Sequence, residues 1–231
     1  AHGGFPEAAM MRSLRISRVA VHPRVRRQGI GRDLVSAAIN CAGPDCDYLS
    51  VSFGLTGELW QFWRSCGFRL VRVGSQREAS SGCYTAMAVL PLSDRASRFI
   101  EDAELWLRRN LAFAAPHWLE ELPSEIIRPA QQDIQGLSEA DWQELAGFAW
   151  GSRPFETSYP VLMRLRAVTP CPPSLLAACN EDKALNQSIV ASGGRKAWLR
   201  QLRQQISQQL VTLDPQQSEQ WQQKLDQLRK I

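Results

Sequence analysis

The chain has 231 residues, 44% hydrophobic and 22% charged, with a net charge of +4 at neutral pH. That length holds one or two domains, and that balance excludes a disordered or fibrous chain. No apolar run approaches the roughly 18 residues of a membrane span and no secretory signal is visible, so no membrane partner is expected.

Residues 1–13 read as a loop. Residues 15–22 alternate polar and apolar side chains, as a strand does, and His22-Pro23 turns the chain. Arg26-Arg27-Gln28-Gly29-Ile30-Gly31 follows, and leads into a helix over 30–42 with an apolar stripe at Ile30, Leu34, Ala38 and Cys41. Gly43-Pro44-Asp45 breaks that helix. Tyr48–Phe53 is a second strand. Glu58–Ser65 is a short helix with Leu59, Phe62 and Trp63 on one side, closed by Gly67 as a left-handed cap. Phe68–Val73 and Cys83–Leu90 are two more strands around a polar loop, Gly74–Gly82. The order is β-α-β-α-β-β, with at least two strands parallel through crossovers.

After Pro91 strand alternation fades and Gln and Leu dominate. Leu137-Ser138 with Asp141-Trp142 is a helix start with a capping box and staple. Pro170, Pro172 and Pro173 mark a loop. Leu199, Leu202, Ile206, Leu210 and Leu213 form a helical stripe, and Asp214-Pro215 opens a last helix carrying Trp221, Leu225 and Leu228. The expected division is an α/β part, residues 1–96, and an all-helical part, residues 97–231.

The charge is uneven. Residues 1–98 hold thirteen arginines, no lysine and seven carboxylates, whereas residues 99–231 hold fourteen cations and sixteen carboxylates. Guanidinium pairs bidentately with phosphate oxygens, so the arginine excess beside a glycine loop suits a phosphate-bearing partner; the alternative is a soluble basic surface. The six cysteines, at 41, 46, 66, 83, 171 and 179, form no Cys-x-x-Cys and no zinc spacing. They read as reduced thiols in a cytoplasmic protein without a metal site.

The glycine loop carries the chemistry. Backbone amides of Arg27–Arg32, at the positive end of the following helix, suit a pyrophosphate, and Gly29 and Gly31 permit close approach. Taken alone, a Gly-x-Gly is equally a plain strand-to-helix turn. Arg/Gln-x-x-Gly-x-Gly after Val19-Ala20-Val21-His22-Pro23, followed by Tyr48–Phe53, Trp60/Trp63 and Cys66-Gly67-Phe68, resembles the GCN5-related N-acetyltransferases. The blocks from Arg15 to Pro23, from Asp47 to Trp63 and from Arg77 to Ala88 further resemble the bacterial tRNA(Met) cytidine acetyltransferases, and the helical tail matches that family's tRNA-binding region in place and length.

The resemblance implies transfer of acetyl from acetyl-CoA to N4 of the wobble cytidine of tRNA(Met), driven by ATP or GTP in a helicase-like module upstream. It implies the C-terminal half of the acetyltransferase fold, a mixed sheet with helices, followed by an all-α domain, and so a chain that is the C-terminal portion of a longer enzyme whose N-terminal part is a partner. The family's coenzyme contacts fall on Val19, Ala20, Val21, Arg26, Arg27, Gln28, Gly29, Ile30, Gly31, Arg32 and Glu58. A further contact, usually an arginine, falls on Ser65; the neighbouring Arg64 points about 100° away on an ideal helix. For the proton leaving nitrogen the candidates are His22, Glu78 and Tyr84, although a His before proline at a strand exit is more often structural. RNA contacts are expected from Arg195, Lys196, Arg200 and Arg203, after the amide-rich turn Ser192-Gly193-Gly194, and more weakly from Arg153, Arg164 and Arg166. Two other functions stay open: a protein or small-amine acetyltransferase of the same superfamily, and a non-catalytic tRNA-binding module.

Overall fold

The computed structural model describes residues 6–79, 81–114, 126 and 136–228. The described chain forms two compact units. One runs to Arg109, and the other takes in Asn110–Ala114 and residues 136–228.

In the first unit, β1 (Ser13–Ile16), β2 (Tyr48–Gly54), β3 (Arg69–Arg77) and β4 (Tyr84–Pro91) form one sheet in the order β1-β2-β4-β3. β1 runs parallel to β2, and the other pairings are antiparallel. Three expectations are corrected here. Residues 1–13 are not all loop: Pro6–Met10 forms a 3-10 turn and Met11 is buried. The strand expected over 15–22 begins at Ser13 and stops at Ile16, because β1 has β2 as its one neighbour and their ladder ends at Ile16–Val51. The loop expected over 74–82 is shorter, because β3 stays paired with β4 out to Arg77–Tyr84, with register shifts on the way.

Helix α1 (Ile30–Cys41) buries Val35 and leaves Ile30, Leu34 and Cys41 exposed. Three of the four stripe residues are therefore turned outward. Gly31 and Val35 face the protein with Ala38, the one stripe residue that is partly buried, at spacings of four and three. Helix α2 (Gly57–Ser65) is capped by Thr56 Oγ1, which accepts from Leu59 N at 3.3 Å. It buries Trp60 and Trp63, while Leu59 is exposed. Trp63 packs edge-on against Phe62 and Phe68, with centroids 5.0 and 5.1 Å away.

Helix α3 (Asp94–Leu111) sets Ala96, Ile100 and Ala103 on a core of Met11, Tyr48, Val71 and Val89. Arg69 on β3 pairs with Glu104 and with Glu101 of this helix. Asp47 ties the start of the sheet to the start of α3. Its carboxylate accepts from Ser93 Oγ at 2.7 Å and from Arg12 N at 3.0 Å, and Ser93 Oγ in turn accepts from Ala96 N.

The second unit is helical: α4 (Glu139–Ala149), α5 (Phe155–Val168), a single turn α6 (Ser174–Ala177), α7 (Asp182–Ala191), α8 (Arg195–Leu213) and α9 (Pro215–Leu228). The capping box forms as read, with Ser138 Oγ accepting from Asp141 N. The stripe of α8 is also as read at its centre: Leu202, Ile206 and Leu210 are fully buried with Trp198, while Leu213 is exposed. Beneath the cap lies a buried ion pair. Arg164 Nε donates to Asp141 Oδ1 at 2.9 Å and Nη1 to Asn110 Oδ1 at 2.8 Å, and both charged side chains are 2% exposed. Arg164 is therefore a core residue, and the surface contact suggested for it is withdrawn.

Two expectations follow. Asp141→Ala removes a cap and strands a buried guanidinium, and should cost about 3–5 kcal/mol in urea unfolding. The bonds from Ser93 and Arg12 hold the Asp47 carboxyl below its usual range. Its contribution is then complete above the ordinary carboxylate pKa and is lost as pH falls through the lowered value. Melting temperature against pH should accordingly show a shallower acid limb in Asp47→Asn than in the parent chain.

Candidate functional site

Beyond Ile16, β1 leaves its neighbour. β2 continues to Gly54, bonded on its other side to β4, while Ser17–His22 carries no ladder pairing. Val19, Ala20 and Val21 therefore lie beyond the strand, with peptide groups that no sheet partner satisfies. At the far end of this stretch, Arg26 Nε donates to Val21 O at 3.0 Å. His22 caps the 3-10 turn Pro23–Val25, its Nδ1 accepting from Arg24 N at 3.3 Å. That contact gives His22 a structural task at the turn.

The loop then makes two left-handed steps, at Arg27 (φ 61°) and Gly29 (φ 90°). Gly29 is the N-cap of α1 and offers no side chain; its carbonyl accepts from Arg32 N at 2.8 Å and Asp33 N at 3.1 Å. The first amides of the helix, on Ile30 and Gly31, have no acceptor within it. An anion can take both, aided by the positive end of a twelve-residue helix. The two glycines serve different needs. A Cβ on Gly29 would meet nothing within 4 Å, so that position is set by its φ. A Cβ on Gly31 would lie 3.1 Å from Phe62 and 3.7 Å from Val21, so that position is set by packing. Gly31 thus brings the loop, the unpaired stretch and α2 together.

Arg27 and Glu58 also meet, with Nη2 3.3 Å from Oε1 and both side chains exposed. Gln28, Ile30, Arg32 and Arg64 are exposed. Ser65 is turned back on its own helix, its Oγ donating to Phe62 O at 2.8 Å. Of the remaining catalytic candidates, Glu78 accepts from Thr85 Oγ1 at 2.6 Å, and Tyr84 is buried with the Arg77 guanidinium 5.8 Å from its ring centre. Both lie at the β3–β4 hairpin, whose Cys83 lies close beside Gly54 at the end of β2.

In the helical unit, Gly193 and Gly194 both have positive φ and precede α8 without a side-chain cap. Arg195 pairs with Glu156. Lys196 and Arg200 are exposed. Arg203 is not with them: its guanidinium donates to the carbonyls of Phe148, Gly151 (3.0 Å) and Arg153 (2.7 Å) and covers the Phe148 ring at 4.5 Å. Burial lowers its pKa. The surface role expected from its spacing is replaced by one as cap to the end of α4, whose last carbonyls need donors. Arg153 pairs with Glu144 at 3.0 Å, and Arg166 is half-buried. Burial also pushes the Cys179 thiol up to about 12, which leaves it inert.

Comparison with known proteins gives two family matches. Residues 33–93 match the family described as GNAT acetyltransferase 2, and residues 96–216 match the tRNA-binding domain family. The first match begins directly after the glycine loop. The tRNA(Met) cytidine acetyltransferase TmcA of Salmonella typhimurium is 45% identical over 93% of this chain, and that of Pectobacterium atrosepticum is 40% identical over 96%. The chain belongs, over residues 96–216, to the tRNA-binding domain family. It spans about a third of the length of these curated relatives, 31% and 32%. The acetyltransferase match stops at residue 93, whereas the compact sheet unit also takes in nearly all of α3, up to Arg109. Sheet packing by Ile100 and Ala103 explains that difference.

The glycine geometry predicts distinct effects. Gly29→Ala forces an L side chain into the left-handed region and should cost about 1 kcal/mol. Gly31→Ala instead presses on Phe62. Thermal melting should show both losses, and crystal structures should show Phe62 displaced in the second variant alone.

Proposed function

We propose that this chain supplies the acetyl-CoA-binding and tRNA-binding parts of a tRNA cytidine N4-acetyltransferase. One observation carries the reading: an amide-bearing glycine loop beside an unpaired strand extension stands in the same chain as a tRNA-binding domain of the recognised family. The relatives named for acetylating the cytidine of tRNA(Met) cover nearly all of it.

In this reading the coenzyme's pyrophosphate sits on the amides of Ile30 and Gly31, flanked by Arg26, Arg27, Gln28, Gly29 and Arg32. Its amide-rich arm runs along Val19–Val21, where peptide groups replace the missing strand partner. Glu58, Arg64 and Ser65 line the α2 side. Acetyl transfer forms a tetrahedral centre as the exocyclic nitrogen attacks the thioester carbonyl, and the thiolate leaves with a proton to be supplied. A main-chain N–H near Val21 is placed to polarise that carbonyl. Glu78, the one carboxylate of the hairpin sequence, takes the proton on nitrogen, with His22 Nε2 as the alternative. The wobble cytidine is unstacked to react, and Lys196 and Arg200, with Arg195 after exchange from Glu156, hold the RNA backbone. ATP or GTP hydrolysis belongs to a module outside this sequence, and the setting is the cytoplasm.

The test is calorimetry with acetyl-CoA and anisotropy with elongator tRNA(Met). Gly29→Glu places a carboxylate where the pyrophosphate binds and should lower acetyl-CoA affinity at least tenfold, about 1.4 kcal/mol. Lys196→Glu with Arg200→Glu should weaken tRNA and leave acetyl-CoA unaffected. Unchanged coenzyme binding in the first variant would remove the coenzyme claim. Unchanged tRNA binding in the second would leave a protein or small-amine acetyltransferase as the better reading.

A further inference from the structure

Between Ser13 and Arg32 the chain carries six arginines and no carboxylate. The coenzyme site uses Arg26, Arg27 and Arg32. Arg15, Arg18 and Arg24 are left over. All three are exposed, and none has a side-chain partner among the described residues. Among the described residues Asp45 is paired with Arg12, Glu58 with Arg27, and Glu101 and Glu104 with Arg69, while Asp33 stands exposed beside Arg32 in the first turn of α1. Arg15, Arg18 and Arg24 thus have no ion-paired carboxylate among the described residues.

Their placement is orderly. Arg15 is on β1, which pairs on one side only; Arg18 is on the unpaired stretch; Arg24 is in the turn Pro23–Val25. Nine residues separate the first from the last, at most about 32 Å of extended chain. The three thus flank the stretch along which the coenzyme arm is placed. An enzyme that takes a base out of its stack must also hold the backbone on either side of it. Guanidinium suits that task, since it grips a phosphodiester through two parallel N–H donors.

We propose that Arg15, Arg18 and Arg24 bind the phosphodiester backbone of the substrate RNA, as a contact separate from Lys196 and Arg200 of the helical unit. This rests on the reading that the chain handles tRNA. The competing role for charge on an edge strand is to discourage sheet-to-sheet pairing, and that role needs no RNA.

The 231-residue chain is compared with the triple variant Arg15→Gln, Arg18→Gln, Arg24→Gln. Anisotropy with elongator tRNA(Met) is measured across a salt series, acetyl-CoA affinity by calorimetry, and folding by thermal melt. Each lost phosphate contact on single-stranded RNA lowers the slope of log K against log salt by about 0.7, so the triple variant should lose about two from the slope and at least about tenfold in affinity. Arg18→Gln alone, at a fully exposed side chain, should lose about 0.7 and guards against a folding defect in the triple variant. Acetyl-CoA affinity should not change. Parent-like slope and affinity for tRNA would overturn the proposal. So would a loss of acetyl-CoA affinity with tRNA binding intact, which would assign these arginines to the coenzyme. If the parent chain binds no tRNA, this proposal and the RNA part of the proposed function fall together. If it binds tRNA but no acetyl-CoA, only the coenzyme reading falls.

Discussion

Everything at the candidate site depends on β1 parting from β2 after Ile16 and Val51. A paired strand has given the main-chain groups of its paired edge to its neighbour, whereas an unpaired continuation keeps the groups of both edges for a ligand. β2 keeps its order past this point because β4 satisfies its other side as far as Gly54. β1 has no second neighbour, so its continuation, Ser17–His22, is released. The released segment is then held at one end by Arg26 on the Val21 carbonyl and by the His22 cap, and along its side by Val21 against the Gly31–Phe62 contact. A stretch of chain without ladder pairing is thus anchored at its far end and along its side. That is what an amide-rich ligand arm needs.

Each unit also has a polar tie that holds elements distant in sequence. In the sheet unit it is Asp47, whose carboxylate reaches Arg12 and Ser93 and so links the start of β1 with the start of α3. In the helical unit it is Asp141, which completes its own helix cap and receives Arg164, which in turn reaches Asn110. The two differ in character. Asp47 is near water and is sensitive to pH through its hydrogen bonds. The Asp141–Arg164 pair is fully buried, so its Coulomb attraction is largely offset by lost hydration. Its effect is to make alternative packings of α4 and α5 costly, since either group alone in the core would be uncompensated.

Much of this was legible in the sequence where local chemistry decides the outcome. The Ser138–Asp141 cap, the Gly67 turn and the centre of the α8 stripe depend on residues within one or two helical turns of each other. The misreadings arise where a distant neighbour decides. The strand over 15–22 has the right alternation, but pairing depends on what lies beside it, and β2 stays with it for only four residues. The α1 stripe was assigned by its largest apolar residues, Ile30 and Leu34. The inward face is built on Gly31 and Val35 instead, because α2 brings Phe62 so close that a side chain at 31 would collide. Small residues at a contact are weak signals of burial, although close approach is what requires them. At the candidate site, the loop and Glu58 expected from the sequence meet through the Arg27 ion pair, whereas Ser65 turns back to its own helix.

Arg203 shows how cations of one type divide between structure and recognition. It shares a helix with Lys196 and Arg200, and spacing alone puts the three on one side. The end of α4 and the turn after it present three carbonyls without helical donors, and the Phe148 ring lies below them. A planar guanidinium with five donors can serve all three carbonyls and stack on the ring, which an ammonium cannot do. Burial then lowers its pKa but leaves it charged, because an arginine begins so far above neutrality. The arginines of residues 13–32 contrast with it. Arg26 is similarly drawn to a carbonyl, that of Val21, and Arg27 to a carboxylate, but Arg15, Arg18 and Arg24 have neither among the described residues. Arginines that a fold needs are identified by the carbonyls and carboxylates around them. For the three that have neither, water, ions or a ligand supply the partner, and phosphate is the anion that guanidinium geometry fits best.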